Sequence, residues 1–170
     1  MKKKLKYWLK QITQTLAILL IVSVVMDWWR SPNAPMNAAD VPFQTIYQNK
    51  NNTLANASAN QTLVLYFWGT WCNICKHTSP AIEDLHANGV PVLGVAWGSG
   101  SDENIKHYLN NNHLKFDTIN DENGQLSQQW GVKVTPTIIL IKNGKVLHST
   151  TGLASYWGLK TRLWLANLAH

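Results

Sequence analysis

The sequence predicts an α/β domain with a central mixed sheet flanked by helices, preceded by one N-terminal transmembrane helix. Apolar strand-like runs alternate with helical patterns in the first half of the domain, which is typical of parallel strands joined by helices. Asn143-Gly144 stands between two apolar runs near the end, which predicts an antiparallel hairpin. A further apolar run follows a lysine-rich N-terminus, as in a membrane anchor.

The anchor is predicted within residues 12–29. Its uninterrupted apolar stretch runs from Leu16 to Val22, and a helix of 20 residues between Trp8 and Trp28 would span about 30 Å, the thickness of a hydrocarbon core. Five lysines precede it, so we expect the N-terminus in the cytoplasm and the rest outside. A cleaved signal peptide is the alternative, although Trp28-Trp29-Arg30 replaces the small-residue cleavage pattern. Both alternatives place the domain outside the cytoplasm.

The predicted organisation is therefore a basic tip and anchor at 1–30, a tether at 31–42, and one domain at 43–170. The net charge is +6, and the first 30 residues carry +5 of it, since six basic residues there face only Asp27. The domain itself shows no basic stripe along its sequence, so we expect no nucleic acid as a partner. We expect a bacterial inner-membrane protein with a single span and its C-terminal domain in the periplasm.

The first half of the domain alternates strands and helices. A short strand is expected near Phe43 to Tyr47, and the Asn-rich stretch from Gln48 to Asn60 is expected to form turns or loop. Leu63 to Phe67 is a continuous apolar run, which predicts a strand buried on both faces. A helix is predicted from Lys76 to Leu85, and Asn88-Gly89 ends it.

The middle of the domain continues this alternation. Val92 to Trp97 predicts a second buried strand, and Asp102 to Asn111 predicts a helix whose acidic first residues suit the positive end of the helix dipole. A short strand near Phe116 to Ile119 and a helical turn that reaches Trp130 follow. The order is therefore that of parallel strands connected by helices.

The C-terminal part is predicted to be a hairpin and a helix. Thr137 to Ile141 and Val146 to Ser149 are the two apolar runs that Asn143-Gly144 joins. Ser155 can cap a last helix that runs to about Leu168. The residues expected on its buried side are Leu159, Leu163 and Leu165.

Cys72 and Cys75 are the only cysteines, and they directly follow the first buried strand. A disulfide between them closes a loop too short for much stabilisation by chain entropy, whereas their spacing is typical of a redox pair. If a helix begins at Cys72, its free N–H groups and positive dipole end face that sulfur and favour thiolate over thiol. We predict that Cys72 is the nucleophile and that the more shielded Cys75 resolves the mixed disulfide.

Three separated motifs resemble those of thioredoxin-like proteins: Phe67-Trp68-Gly69-Thr70-Trp71-Cys72-Asn73-Ile74-Cys75-Lys76, then Pro80, then Val134-Thr135-Pro136-Thr137. The likeness is to the membrane-anchored TlpA/ResA/CcmG group. Within that group, Thr78-Ser79-Pro80 and Glu83-Asp84-Leu85 resemble the ScsD-type proteins linked to copper tolerance. The resemblance implies a thioredoxin-like fold and a thiol:disulfide oxidoreductase.

The resemblance also implies roles for residues around the cysteines. Pro136 is expected to be a cis proline that faces the pair, with the Thr135 backbone free to bind an extended substrate segment. Trp71 either presents an apolar contact face to the substrate or packs half-buried. Thioredoxins place a buried aspartate beneath the cysteines, but Tyr66 matches that position, and a phenol is a poor base at neutral pH. Glu83 is either a substitute proton relay through water or a solvated helix acid.

These observations predict a tethered enzyme that reduces disulfides in extracytoplasmic partner proteins, of the cytochrome c maturation or copper-stress type. The resemblance implies that a transmembrane thiol shuttle donates the electrons, and we expect no cofactor. Two alternatives stay open: a dithiol oxidase of folding proteins, and a tethered copper(I) chaperone that uses the same thiolates. We expect no zinc or other resident metal, since His77 has no second histidine or cysteine pair at ligand spacing.

Overall fold

The computed structural model describes residues 39–40 and 42–168, and before them residues 8, 10–15, 17–18, 21–22, 25, 32 and 35. The residues described between 8 and 25 are helical. Much of the predicted anchor, including Leu16, Leu19 and Leu20, and most of the predicted tether lie outside the described residues. Over the part that is described, no helix has both the length and the apolar character needed to span a bilayer.

The domain consists of seven strands and five helices within residues 42–168. In chain order they are β1 (Pro42–Thr45), β2 (Gln48–Thr53), α1 (Leu54–Ala57), β3 (Leu63–Trp68), α2 (Asn73–Ala87), β4 (Val92–Trp97), α3 (Asp102–Asn111), β5 (Asp117–Asp121), α4 (Gln125–Gln129), β6 (Thr137–Lys142), β7 (Lys145–Thr151) and α5 (Tyr156–Leu168).

A mixed sheet of five strands forms the centre, in the order β5-β4-β3-β6-β7. β3, β4 and β5 are parallel, whereas β6 is antiparallel to both β3 and β7. Asn143 and Gly144 both have positive φ, 50° and 73°, as the predicted hairpin turn requires. The predicted α/β class with a mixed sheet and flanking helices is therefore confirmed.

Each face of the sheet carries its own apolar cluster, and β3 contributes to both. Val64, Tyr66 and Trp68 lie in the cluster that contains the buried residues of α2, α3 and α5. Leu63, Leu65 and Phe67 lie in the other cluster, with residues of α1, α4 and the β1–β2 ribbon. Because both faces of β3 are covered, its sequence is apolar throughout rather than alternating.

The prediction of turns or loop from Gln48 to Asn60 is wrong, since this stretch contains β2 and α1. β2 pairs antiparallel with β1, and Pro42 lies opposite Thr53. Asparagine is rare in strands, but a two-stranded ribbon at the surface gains its backbone hydrogen bonds whatever the side chains are. The Thr53 side chain then accepts a hydrogen bond from the Asn56 N–H at 3.2 Å and caps α1.

The last helix begins as predicted, but one of its expected core residues is exposed. The Ser155 Oγ accepts a hydrogen bond from the Gly158 N–H at 3.2 Å, which confirms the predicted cap. Leu159 and Leu163 are buried, whereas Leu165 is exposed. Leu165 follows Leu163 by two residues, about 200° around a helix, and therefore points away from the core.

Candidate active site

Cys72 and Cys75 lie at the junction of β3 and α2 and form a disulfide with their Cα atoms 5.2 Å apart. Cys72 is the N-cap residue of α2, and its Sγ accepts a hydrogen bond from the Cys75 N–H at 3.1 Å. α2 therefore begins three residues before the predicted Lys76, and the condition stated for Cys72, a helix that begins at this residue, is met. The free N–H groups of the first turn lie beside this sulfur, where they stabilise negative charge.

The two cysteines differ in their access to solvent. Cys72 keeps 5% of its surface exposed, and Cys75 keeps none. Of the two cysteines, only Cys72 therefore offers surface to a partner without a change in the fold. This difference agrees with the order of attack predicted from the sequence, in which Cys72 reacts first.

Tyr66 lies on β3 in the same apolar cluster as the cysteines and makes one hydrogen bond, 3.0 Å between its hydroxyl and Ser79 Oγ. Its ring packs edge-on against Phe116 and parallel to Trp68. Burial raises the pKa of Tyr66 far above its usual value, and the bond to Ser79 opposes this only in part. Tyr66 is thus neutral at physiological pH and does not accept a proton. This agrees with the expectation that a phenol at this position is a poor base.

Glu83 has a partner of its own in the structure. Its Oε2 accepts a hydrogen bond from the Lys115 N–H at 2.7 Å, in the segment that leads to β5. Glu83 follows Cys75 by eight residues, which corresponds to about 12 Å along the helix axis. Direct proton transfer to or from Cys75 is therefore excluded in this conformation, and the predicted relay requires water.

Among the described residues, Asp121 is the one buried carboxylate, and it has a structural role. Its two side-chain oxygens accept hydrogen bonds from the N–H groups of Leu126 and Ser127, at 2.9 and 2.8 Å. These bonds satisfy the free N–H groups at the start of α4. Asp121 is therefore not available as a substitute for the aspartate that thioredoxins place beneath their cysteines.

The Thr135-Pro136 peptide bond is cis, as the resemblance implies. Phe67 lies opposite Thr137 in the β3–β6 pairing, so Pro136 reaches the end of the sheet where β3 leads into Cys72. The Pro136 C=O accepts a hydrogen bond from the Gly152 N–H at 2.9 Å. Within the described part of the chain, neither the N–H nor the C=O of Thr135 makes a backbone hydrogen bond. This main-chain edge is free to pair with an extended segment.

Trp71 is held along one edge and exposed along the other. Its Nε1 donates a hydrogen bond to the Trp97 C=O at 3.0 Å, and its ring packs edge-on against that of Trp97. The indole lies over Gly69, where an added Cβ would approach Nε1 to 2.7 Å. Trp71 is nevertheless 57% exposed. The indole thus packs against Trp97 along one edge and leaves the rest of its surface available for an apolar contact.

The sequence model of the AhpC/TSA family, a thioredoxin-like family, matches residues 34–149. The chain belongs to the AhpC/TSA family. It is 39% identical to a thioredoxin-like protein of Haemophilus influenzae over 163 residues, which cover 96% of this chain and 97% of that relative. It is 34% identical over 104 residues to the thiol-disulfide oxidoreductase ResA of Geobacillus thermodenitrificans, covering 58% of this chain and 59% of ResA.

The fold is likewise shared with solved structures. The crystal structure of StoA from Bacillus subtilis aligns with a TM-score of 0.61 at 21% identity, over 71% of this chain and 93% of StoA. Family membership and the Cys72–Cys75 disulfide confirm the predicted enzyme class, a thiol-disulfide oxidoreductase.

Among the described residues, no group of three or more His, Cys, Asp or Glu side chains is placed to hold a metal ion.

In this thioredoxin-like protein, exposed apolar residues lie at the end of the sheet that carries the disulfide, and sequence reasoning missed two of them. Ile74, which stands between the two cysteines in the sequence and lies in the first turn of α2, is 47% exposed. Leu153 is 72% exposed and follows Gly152, which binds Pro136. Ile74 was predictable, since a residue beside a helix N-cap on the side away from the core must face solvent. Leu153 becomes visible only when β7 is placed beside β6.

Ser99 is a third residue that the sequence did not single out. Its Oγ accepts a hydrogen bond from the Thr70 N–H and donates one to the Trp97 C=O, both at 3.1 Å. The same carbonyl accepts the Trp71 indole N–H. The turn that precedes Cys72 is thus attached to the carboxyl end of β4 through one buried hydroxyl. A polar residue two positions after the end of the neighbouring parallel strand was the available signal.

Replacing Ser99 by alanine is expected to lower the free energy of unfolding by about 1–3 kcal/mol, because it leaves the partly buried Thr70 N–H without an acceptor. Ser99→Thr keeps the hydroxyl and serves as the control. Chemical denaturation of the oxidised chain measures the free energy of unfolding. Amide hydrogen exchange at Thr70 measures whether its N–H has lost its acceptor, and it is expected to be faster in Ser99→Ala. Exchange at Thr70 that is equally slow in Ser99→Ala and the native chain would contradict the assignment.

Proposed function

We propose that this protein is a membrane-tethered thiol:disulfide oxidoreductase that works outside the cytoplasm of a bacterium and reduces disulfides in partner proteins. The observation that carries the proposal is the position of the pair: Cys72 caps α2 and keeps the exposed surface, while Cys75 is fully buried. This asymmetry suits two successive attacks by different sulfurs. The likeness to ResA, named a thiol-disulfide oxidoreductase, supports the same chemistry.

The reaction begins from the dithiol form. The Cys72 thiolate attacks one sulfur of the partner's disulfide, so that a mixed disulfide forms and the partner's other sulfur leaves as a thiolate. Cys75, after losing its proton, attacks the Cys72 sulfur and releases the partner's second thiolate. The partner has then gained two electrons, and this protein ends with the Cys72–Cys75 disulfide that the structure contains.

Substrate binding is proposed to use the free main chain of Thr135 and the apolar residues at the end of the sheet that carries the disulfide. An extended partner segment pairs with the Thr135 N–H and C=O, which have no backbone partner within the described chain. Exposed apolar surface lies at the same end of the domain and is formed by Trp71, Ile74 and Leu153. This surface contacts the partner segment on either side of the disulfide that is reduced.

Two further parts of the proposal concern protons and electrons. Glu83 accepts the Cys75 proton through water, since Tyr66 remains neutral and Asp121 is engaged in capping α4. A transmembrane thiol shuttle restores the dithiol form, because no soluble reductant is assured outside the cytoplasm. The protein needs no cofactor for this exchange, since both electrons are carried by its own sulfurs.

The tether and the compartment rest on the N-terminal sequence. The apolar run within residues 12–29 and the five lysines before it favour an inner-membrane anchor with the domain in the periplasm. The Asn-Ile dipeptide between the cysteines adds no charge, so it does not decide the direction of electron flow. The substrates are of the copper-stress type, to which the likeness of residues 78–85 to ScsD-type proteins points, or of the cytochrome c maturation type.

Trapping tests the proposal. In cells that express the full chain as Cys75→Ser, Cys72 is expected to remain joined to its partners, because the resolving thiol is absent. The adducts are separated without reductant and identified by mass spectrometry. The matched control, Cys72→Ser, is expected to give none. If neither variant carries an extracytoplasmic protein while the native chain binds one copper(I) per pair, the tethered chaperone replaces the oxidoreductase.

The reduction potential decides the direction. A reductase is expected near the thioredoxin value of about −270 mV, whereas a dithiol oxidase is expected near about −120 mV. Equilibration of the purified chain with a glutathione or dithiol buffer, followed by alkylation of free thiols, measures it. A value at the oxidase end would replace the proposed reductase with the oxidase of folding proteins.

A further inference from the structure

Helix α5 presents an apolar stripe to solvent, on the side opposite its buried residues. Trp157, Trp164 and Leu168 are 72%, 61% and 66% exposed. Their spacing of seven and four residues places them within about 40° of one another around the helix. Leu159 and Leu163 occupy the other side and are buried in the core. Exposed tryptophans in line along a helix that already has a buried side indicate a second contact surface.

Basic side chains border this stripe. The Lys160 Nζ lies 5.4 Å from the ring centroids of both Tyr156 and Trp157 and 3.3 Å from the Tyr156 hydroxyl. Its ammonium group is thus held beside the tryptophan. Arg162 lies about 140° from Trp157 around the helix, but its Nη1 reaches back to Gly158, the neighbour of Trp157, where an added Cβ would approach it to 3.1 Å. α5 contains no acidic residue.

The charges of the domain are divided unevenly between its two parts along the chain. Residues 31–122 carry four lysines against eight carboxylates, and residues 123–170 carry five basic residues and no Asp or Glu at all. The small net charge of the domain therefore hides an acidic first part and a basic C-terminal part. This part comprises α4, β6, β7 and α5.

We propose that the outer face of α5, formed by Trp157, Lys160, Trp164 and Leu168 with the Arg162 guanidinium at its edge, docks on the surface of an anionic lipid bilayer. Tryptophan and leucine on one side with lysine and arginine beside them are typical of a helix that lies in the membrane interface. The basic charge complements anionic headgroups and adds about 1 kcal/mol of attraction for each residue near the surface.

The inference rests on the tether of the proposed function, which keeps the domain close to the bilayer. Eleven residues separate Arg30, at the end of the predicted anchor, from Pro42, where β1 begins. Fully extended, they reach about 40 Å, while a domain of this size has a radius of gyration of about 14 Å. The tether thus allows any face to turn to the membrane, and the stripe and the charge select α5. Docked in this way, the domain holds its cysteines at a fixed height above the bilayer.

Oxidative footprinting in nanodiscs tests the docking. The full chain is inserted in discs of phosphatidylcholine alone and in discs that also contain phosphatidylglycerol, exposed to hydroxyl radicals and digested with trypsin. Cleavage after Lys145, Lys160 and Arg162 places Trp157 and Trp164 in separate peptides. We expect both to be oxidised several-fold more slowly in the anionic discs, and the protection to fall in about 1 M salt, where the Debye length is about 3 Å.

Internal and matched controls accompany the measurement. Tyr47 is exposed and lies beside β5, at the opposite edge of the sheet, so its oxidation is expected to be the same in both discs. The double variant Lys160→Gln/Arg162→Gln is expected to lose the protection. Its control, Lys106→Gln/Lys115→Gln, removes the same charge near β5 and is expected to keep it.

The other outcomes overturn the docking or the tether separately. Equal oxidation of Trp157 and Trp164 in both discs overturns anionic lipid as the occupant, and protection that depends on the number of chains per disc assigns the face to a second copy. A chain that inserts in neither disc contradicts the tether. In that case flotation with phosphatidylglycerol vesicles tests the face alone, and absence of flotation overturns it.

Discussion

Cys72→Ser is expected to reduce disulfide exchange to the uncatalysed rate, whereas Cys75→Ser is expected to complete the first half of the reaction. A serine hydroxyl does not ionise at neutral pH and cannot replace the thiolate that the start of α2 favours. Cys75 cannot take over the attack, because it has no exposed surface. The loss is therefore expected to be complete for Cys72→Ser and confined to the second half of the reaction for Cys75→Ser.

A single-turnover experiment measures this difference. The reduced chain is mixed with a model protein that holds one disulfide, and the thiols released are counted. Native chain releases two thiols, Cys75→Ser releases one and remains joined to the substrate, and Cys72→Ser releases none. Alkylation of the reduced native chain provides the control, since Cys72 is expected to react before Cys75. Exchange by Cys72→Ser at a rate close to that of Cys75→Ser would contradict the assigned order.

The buried strands and the redox pair were predictable from the sequence for the same physical reason. β3, β4 and β6 are covered on both faces, so their sequences are continuous apolar runs that mark their positions to within a residue. The cysteines follow the first of these strands directly. The cis bond before Pro136 came only from the family resemblance, because the local sequence of an X-Pro bond favours trans.

The parts that sequence reasoning missed depend on contacts between distant segments. β2 is polar, and its strand conformation comes from pairing with β1. Ser99 lies 29 residues from Thr70, and its role appears only once β3 and β4 are adjacent. Glu83 was correctly placed on α2, but its hydrogen bond to Lys115 is set by the loop before β5. Local patterns do not encode such partners.

Trp68→Ala is expected to lower the free energy of unfolding by about 3–5 kcal/mol, the usual cost of truncating a buried aromatic residue. Trp68 has no exposed surface, and its ring packs against those of Tyr66, Phe116 and Tyr108. Gly94 on the neighbouring strand makes room for it, since an added Cβ there would approach the Trp68 Nε1 to 2.9 Å. The alanine variant leaves a cavity where four aromatic rings meet.

Trp68→Phe is the matched control and is expected to cost much less. Among the described residues the buried Trp68 Nε1 has no hydrogen-bond partner, so phenylalanine removes an unsatisfied donor while it keeps an aromatic ring in the cluster. Chemical denaturation with the disulfide intact, followed by far-ultraviolet circular dichroism, measures both variants without relying on the fluorescence of the other tryptophans. Equal losses for Phe and Ala would contradict the assignment of the loss to the aromatic ring, and a loss below about 1 kcal/mol for Ala would contradict the central place of Trp68 in the core.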